Sequence, residues 1–206
     1  QPVGDRLRAV GAELDADVWF GVPAAEQHRC ADIIWDPAWT IPVVPSFDGF
    51  EGDRLMNALA HLNPPGYSSV GLVNTPAWRA LPLGSTSGHA SASGLARVYA
   101  ALLEPDRLLS PDLLAHATAP RATGLCPILD DQVTYGLGFQ PTTARRPLGP
   151  NPRSFGHYGS GGALGFADPD AGIAFGYVMN HVIPRWQSAR NRALVEAVYA
   201  SVASTR

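Results

Sequence analysis

Residues 155 to 166, Phe-Gly-His-Tyr-Gly-Ser-Gly-Gly-Ala-Leu-Gly-Phe, set three polar side chains, His157, Tyr158 and Ser160, between apolar flanks and surround them with glycine. Glycines at 156, 159, 161, 162 and 165 permit close backbone approach and unusual dihedrals, which a strand needs where a ligand or another main chain comes near. The run therefore reads as the floor of an active site, with His157, Tyr158, Gly159 and Ser160 as catalytic candidates and Gly161 and Gly162 lining the substrate. A plain glycine-rich turn between two strands is the alternative. Against it stands a turn sequence further on, Asp168-Pro169-Asp170-Ala171-Gly172, followed by the β-forming run Ile173 to Asn180. That places the turn downstream and the glycines inside a strand or at its bend.

Residue type and spacing exclude other chemistries. All 15 basic residues are arginine, so any step that needs a lysine must be supplied from outside this chain. His28, His61, His89, His116, His157 and His181 are dispersed with no i, i+4 pair, which gives no zinc pattern, and neither a metal nor a cofactor is expected.

The trio His157-Tyr158-Gly159 matches the His-x-Gly form of the third motif of the serine β-lactamase and penicillin-binding-protein superfamily. The chain resembles in particular its family VIII carboxylesterases, which lie close to the class C enzymes. Gly88 to Leu103 resembles a helix start of that family, and Tyr135-Gly136-Leu137-Gly138-Phe139 resembles the strand before the trio. From about residue 15 onward the chain reads like the second half of such an enzyme.

The resemblance implies hydrolysis of a carboxylic ester or amide, the class that includes β-lactams, through an acyl-enzyme. The family's nucleophile is the serine of Ser-x-x-Lys, and a Tyr-x-Asn element supplies a second proton carrier. The first is absent here, and Tyr67-Ser68-Ser69 falls too late in the chain to be the second and reads as a loop. What remains is the third motif, in which the resemblance makes the backbone N–H of Ser160 half of an oxyanion hole, the other half being the nucleophile's own N–H. His157 replaces the more usual lysine, either orienting the tyrosine and a substrate carboxylate or simply hydrogen-bonding. His89 lies where family members bring a loop toward the cleft, a substrate-binding candidate whose plainer role is capping or packing. Gly159-Ser160-Gly161-Gly162 also resembles the nucleophile surroundings of trypsin-like proteases, but the other marks of that family are missing. A non-catalytic module of the same fold, used for binding, is the rival function.

These residues need elements to hold them. Asp5 to Leu14 is weakly helical and Ala16 to Pro23 alternates like a strand. The Trp/Pro-rich stretch from Trp35 to Pro45 rules out a long helix and predicts an extended segment, either lining a cleft or covering the core. A helix is predicted over Asp53 to Leu62, with Leu55, Met56, Leu59 and Leu62 on one face and Asn63-Pro64-Pro65-Gly66 stopping it. Asn74-Thr75-Pro76 starts another. Ser91 or Ser93 caps the clearest helix, whose apolar face is Leu95, Val98, Tyr99, Leu102 and Leu103. Ser110-Pro111-Asp112 opens a helix over Leu113 to Thr118, and Arg121 to Asp131 reads as loop. Strands are predicted at Val133 to Phe139, Ser154 to His157, Ala163 to Ala167 and Gly172 to His181, under a final helix from Ser188 to Ala203 that presents Leu194, Val195, Val198, Tyr199 and Val202. The fold class is α/β, an α+β sandwich of the β-lactamase type with antiparallel strands and a covering C-terminal helix, lacking the N-terminal half. Its parts are a helical and loop region, residues 1–132, and a sheet region, residues 133–206.

Composition bounds the partners. Hydrophobic residues at 46% and charged residues at 16% are globular proportions. A net charge of -3 with scattered arginines offers no field for nucleic acid, and no apolar run reaches the ~20 residues of a membrane span. The first residues, Gln1 to Arg6, show neither an initiating Met nor a basic-then-apolar signal region, and Cys30 and Cys126 suit a reducing compartment, so a cytoplasmic location is expected. The expected partners are a separate chain comprising the N-terminal half, or a second copy in a homodimer, and a small-molecule ester or amide.

Overall fold

The computed structural model describes residues 1–36, 46–62, 71–183 and 188–204. Trp39, Pro42, Pro45, Asn63-Pro64-Pro65-Gly66 and Tyr67-Ser68-Ser69 lie outside the described residues.

Four antiparallel strands in the order β6-β7-β8-β9 form the main sheet: β6 Gln140–Pro141, β7 Phe155–Tyr158, β8 Leu164–Asp168 and β9 Ile173–Tyr177. Side chains alternate between its faces. Phe155 and Ala167 pack with Leu102 of helix α4 (Ala92–Leu103), while Tyr158, Leu164 and Phe166 pack with Val195 of helix α6 (Ala189–Ser204). Fully burying a side chain such as Phe166 contributes ~2–3 kcal/mol. The α4 face is lined with glycine because the helix lies directly on it. A Cβ on Gly165 would meet the Tyr99 ring at 2.4 Å, and one on Gly176 would meet the Ala92 carbonyl at 2.3 Å.

Helix α4 begins as its sequence dictates, with the Ser91 hydroxyl accepting from Gly94 N–H at 3.0 Å; Ser91, not Ser93, is the cap. Thr75 and Ser110 cap α3 (Pro76–Arg79) and α5 (Pro111–Thr118) in the same way. Helix α1 (Val3–Glu13) rests on strand β1 (Val18–Phe20), which pairs antiparallel with β3 (Gly88–Ala90). A short parallel pair joins β2 (Ile34–Trp35) to β10 (His181–Val182).

Several expectations are corrected. Residues 122 to 126 are a strand, β4 (Ala122–Cys126), paired with β5 (Asp131–Tyr135) in a hairpin that the division at residue 132 cuts. The strand predicted over Val133 to Phe139 ends at Tyr135, and residues 136–139 bend before β6, because Gly136 N–H turns to the Phe139 carbonyl and Leu137 N–H to the Ala117 carbonyl. Helix α2 (Gly52–Leu62) forms, but Met56 and Leu59 of its apolar face are exposed and Ala58 is its buried residue. On α6 the sheet-facing stripe begins at Asn191, one turn before Val195, and Leu194 is exposed. Among the described residues no helix is long and apolar enough to cross a membrane.

Candidate active site

Strands β7 and β8 pair from Phe155↔Ala167 to Tyr158↔Leu164, and the next five residues close the hairpin. Gly159 N–H donates to the Ala163 carbonyl at 2.8 Å and Gly162 N–H to the Gly159 carbonyl at 3.0 Å. Gly162 has φ +104°, a conformation that favours glycine. This is the glycine-rich turn that the sequence reading set aside. Gly156 and Gly165 sit in strands, whereas Gly159, Ser160, Gly161 and Gly162 form the turn, so Ser160 is not on the strand with His157.

The turn leaves something open. Among the described residues neither Ser160 N–H nor Gly161 N–H meets a backbone acceptor, and Ser160 is exposed. The turn is held from behind instead. Gly161 carbonyl accepts from Ile183 N–H at 3.2 Å, Gly162 carbonyl accepts from Asn191 Nδ2 at 3.3 Å, and a Cβ on Gly161 would press on Met179 at 2.5 Å.

His157 pairs with Gly165 and so shares the α4 side of the sheet, away from α6. Strand β6 pairs with β7 only at Phe155 and Gly156, leaving the outer edge at His157 and Tyr158 without a β6 partner. The ring is exposed on one side and stacked on Tyr135 on the other, centroids 6.0 Å apart. Loss of solvation pushes its pKa below the ordinary histidine value and the Arg146 charge adds to this, against a hydrogen bond at the Tyr158 backbone. Loss of solvation thus favours the neutral form of the His157 ring.

Tyr158 points the other way. It is 4% exposed, packs with Leu164 and Phe166, and its hydroxyl donates to the Pro147 carbonyl at 2.5 Å. Strand alternation forces this once His157 faces α4, so the Tyr158 side chain serves the core. His89 sits on the separate β1–β3 ribbon. Its Nδ1 donates to the Ser87 carbonyl at 2.9 Å, its ring meets Trp78 edge-on at 6.1 Å, and burial, with help from the Arg79 charge, lowers its pKa. The structure therefore brings His157 and residues 159 to 162 onto one hairpin and leaves His89 on another. Among the described residues no group of acidic, histidine and cysteine side chains could hold a metal.

Among the described residues, N–H donors that meet no backbone acceptor thus sit in the turn beside a strand that carries an exposed histidine whose pKa lies below the ordinary value. Residues 14–200 match the family model described as Beta-lactamase. The chain belongs to the β-lactamase family. It is 33% identical over 104 residues to Esterase/beta-lactamase LipL of Mycobacterium tuberculosis, a match spanning 48% of this chain and 24% of that protein. Among solved structures, EstA from Arthrobacter nitroguajacolicus Rue61a superposes with TM-score 0.73 at 32% identity, over 95% of this chain and 52% of that one. A penicillin-binding-protein homologue from Caulobacter crescentus gives 0.75 at 32% identity, over 96% and 52%. A family VIII carboxylesterase gives 0.74 at 29% identity, over 89% and 47%. The chain thus spans about half the length of these structures, and its mixed helix and strand architecture is that of the β-lactamase family.

Asn191 was missed in the sequence. The signal existed: the stripe Val195, Tyr199, Val202, carried back one helical turn, lands on it.

Proposed function

We propose that this chain is the C-terminal part of a serine hydrolase that cleaves carboxylic esters or amides, β-lactams within that class, through an acyl-enzyme. The nucleophilic Ser-x-x-Lys is supplied by a segment not in this chain. The observation that carries the reading is the Ser160 N–H, which, like that of Gly161, meets no backbone acceptor among the described residues although Gly159 and Gly162 on either side close the turn. When the nucleophile's oxygen adds to the substrate carbonyl, the C=O electron pair moves onto oxygen, and the Ser160 N–H donates to that oxyanion alongside the nucleophile's own N–H. Collapse expels the alcohol or amine, and water then releases the acid. Losing one such donor costs on the order of a hundredfold to a thousandfold in rate. His157, neutral, is placed to hydrogen-bond the substrate on the α4 side.

The partner follows from the sheet. Among the described residues no strand pairs with the outer edge of β9, where Ile173, Phe175 and Tyr177 carry no lysine or proline to blunt it. A separate chain comprising the N-terminal half completes that edge, or failing that a strand-swapped second copy. Free Cys30 and Cys126 fit a reducing compartment, the cytoplasm.

A fluorophosphonate probe on the native assembly tests the reading. Labelling of a co-purifying segment that carries Ser-x-x-Lys, with none on this chain, is expected. Labelling of Ser160 would overturn it in favour of a nucleophile within this chain. No labelling at all would overturn it in favour of the binding-module reading.

A further inference from the structure

We infer that Asn191, on the first turn of α6, is a positioning residue for the oxyanion donor, holding the 159–163 turn so that the Ser160 N–H faces the cleft. The inference rests on the serine-hydrolase reading and adds to it a residue 31 positions away in sequence from the donor. Asn191 is 0% exposed, although a side-chain amide carries no gain from burial unless it is hydrogen-bonded. Its Nδ2 donates to the Gly162 carbonyl, and its backbone N–H donates to the Ser188 hydroxyl at 3.4 Å, which fixes the start of the helix that carries it.

The bond falls where the turn has least support of its own. Gly159 and Gly162 close the hairpin internally, but at φ +104° Gly162 has no side chain to fix its peptide plane. The carbonyl received by Asn191 belongs to that residue. Ile183 N–H, just after β10, holds the preceding carbonyl, of Gly161, so two consecutive peptide planes are pinned, while among the described residues the N–H groups of Ser160 and Gly161 meet no backbone acceptor. A donor acts on an oxyanion only if its direction is set before the charge develops. The residues behind the turn set that direction, Asn191 from the first turn of α6 and Ile183 from the end of β10.

The test has two readouts. In the enzyme assembled from this chain and the segment carrying the nucleophile, Asn191→Ala is expected to lower kcat on p-nitrophenyl esters on the order of ten- to a hundredfold, with KM within about twofold, because the lost interaction serves the transition state. Phosphonylation by the fluorophosphonate should slow in parallel. In the same assembly, amide hydrogen exchange at Gly159 and Gly162 should quicken about tenfold or more while β8 and β9 keep their protection. Gly162→Ala, which disturbs the same peptide from the turn side, is the second variant should Asn191→Ala fail to fold, and it should move both readouts the same way. Unchanged kcat in a folded variant, or a fall in kcat with no change in exchange at the turn, would overturn the inference. A parent assembly without esterase activity whose turn still loosens on substitution would instead overturn the hydrolase reading and leave the anchor standing.

Discussion

The main sheet has two glycine-containing turns at opposite ends of β8, and they use their hydrogen bonds in opposite ways. At 168–172, the Asp168 carboxylate accepts from Asp170 N–H at 2.9 Å, Ala171 N–H at 3.1 Å, Asn151 Nδ2 at 2.7 Å and the Tyr199 hydroxyl at 2.5 Å. The N–H groups of Asp170 and Ala171 are thus received by one buried side chain that also ties down α6. At 159–163 the Ser160 and Gly161 N–H groups meet no backbone acceptor among the described residues, and the Gly161 and Gly162 carbonyls are anchored from outside the turn. A turn that only reverses the chain gains by consuming its donors, whereas a turn that keeps some free requires support from neighbouring elements. The contrast separates a turn whose N–H groups are taken up by a side chain of its own strand from one that leaves N–H groups open and is braced by neighbouring elements.

The largest expected effect is at the Asp168 turn. Asp168→Ala strands four donors inside the protein and should destabilise the chain by about 3 kcal/mol, measured by urea denaturation, whereas Ser160→Ala should stay within about 0.5 kcal/mol. Burial raises the Asp168 pKa, but the hydrogen bonds from Tyr199, Asn151, Ala171 and Asp170 outweigh it, and the net displacement is downward. The carboxylate's contribution is therefore present above about pH 4 and lost as pH falls through its lower folded value. The gap between Asp168→Ala and the parent should accordingly close in acid. A gap that persists at pH 2 would mean that packing, not charge, holds this turn.

A smaller effect compares the two turn glycines. Gly172 has φ +67°, inside the left-handed well, with open space where a Cβ would go. Gly162 has φ +104°, outside that well, and a Cβ there would lie 3.2 Å from Arg190. Alanine should cost about 1 kcal/mol at 172 and about 2 kcal/mol at 162, read as the difference in urea midpoint between the two variants. Equal costs would show that the open turn tolerates its substituent by moving, against the idea that it is held.

Much of this scaffold was legible in the sequence. The α4 cap at Ser91 and the strands flanking His157 follow from local patterns, and so does the turn at Asp168, whose Asp-Pro-Asp-Ala-Gly carries its own hydrogen-bonding logic. Strand β4 was not legible, because Ala-Thr-Gly-Leu-Cys has no alternation and becomes a strand only by pairing with β5. The open turn was misplaced for a related reason. Glycine permits both strand bends and hairpin tips, so Gly-Ser-Gly-Gly cannot declare which it is until the register of Tyr158 against Leu164 is set. Asn151, Tyr199 and Asn191 reach their partners over 17, 31 and 29 residues, contacts that no local pattern records.

The smallest effect concerns His157, beside the open turn. Its pKa lies below the ordinary histidine value chiefly because neighbouring atoms displace solvent from the ring, and Tyr135, stacked at 6.0 Å, covers one face. The neutral ring is thus the form the fold favours, and the corresponding stability is present above about pH 6.5 and lost as pH falls through the folded value. NMR titration of the ring protons should find His157 below 6.5 in the parent, and Tyr135→Ala should move it upward toward the ordinary value by returning water to that face. Asp168 should not move, since Tyr135 lies on the other hairpin and takes no part in its bonds. A downward shift of His157 would mean that Tyr135 stabilises the charged ring, as an aromatic face can. The histidine would then be held as a cation beside the cleft, and its proposed role as a neutral hydrogen-bonding partner of the substrate would fail.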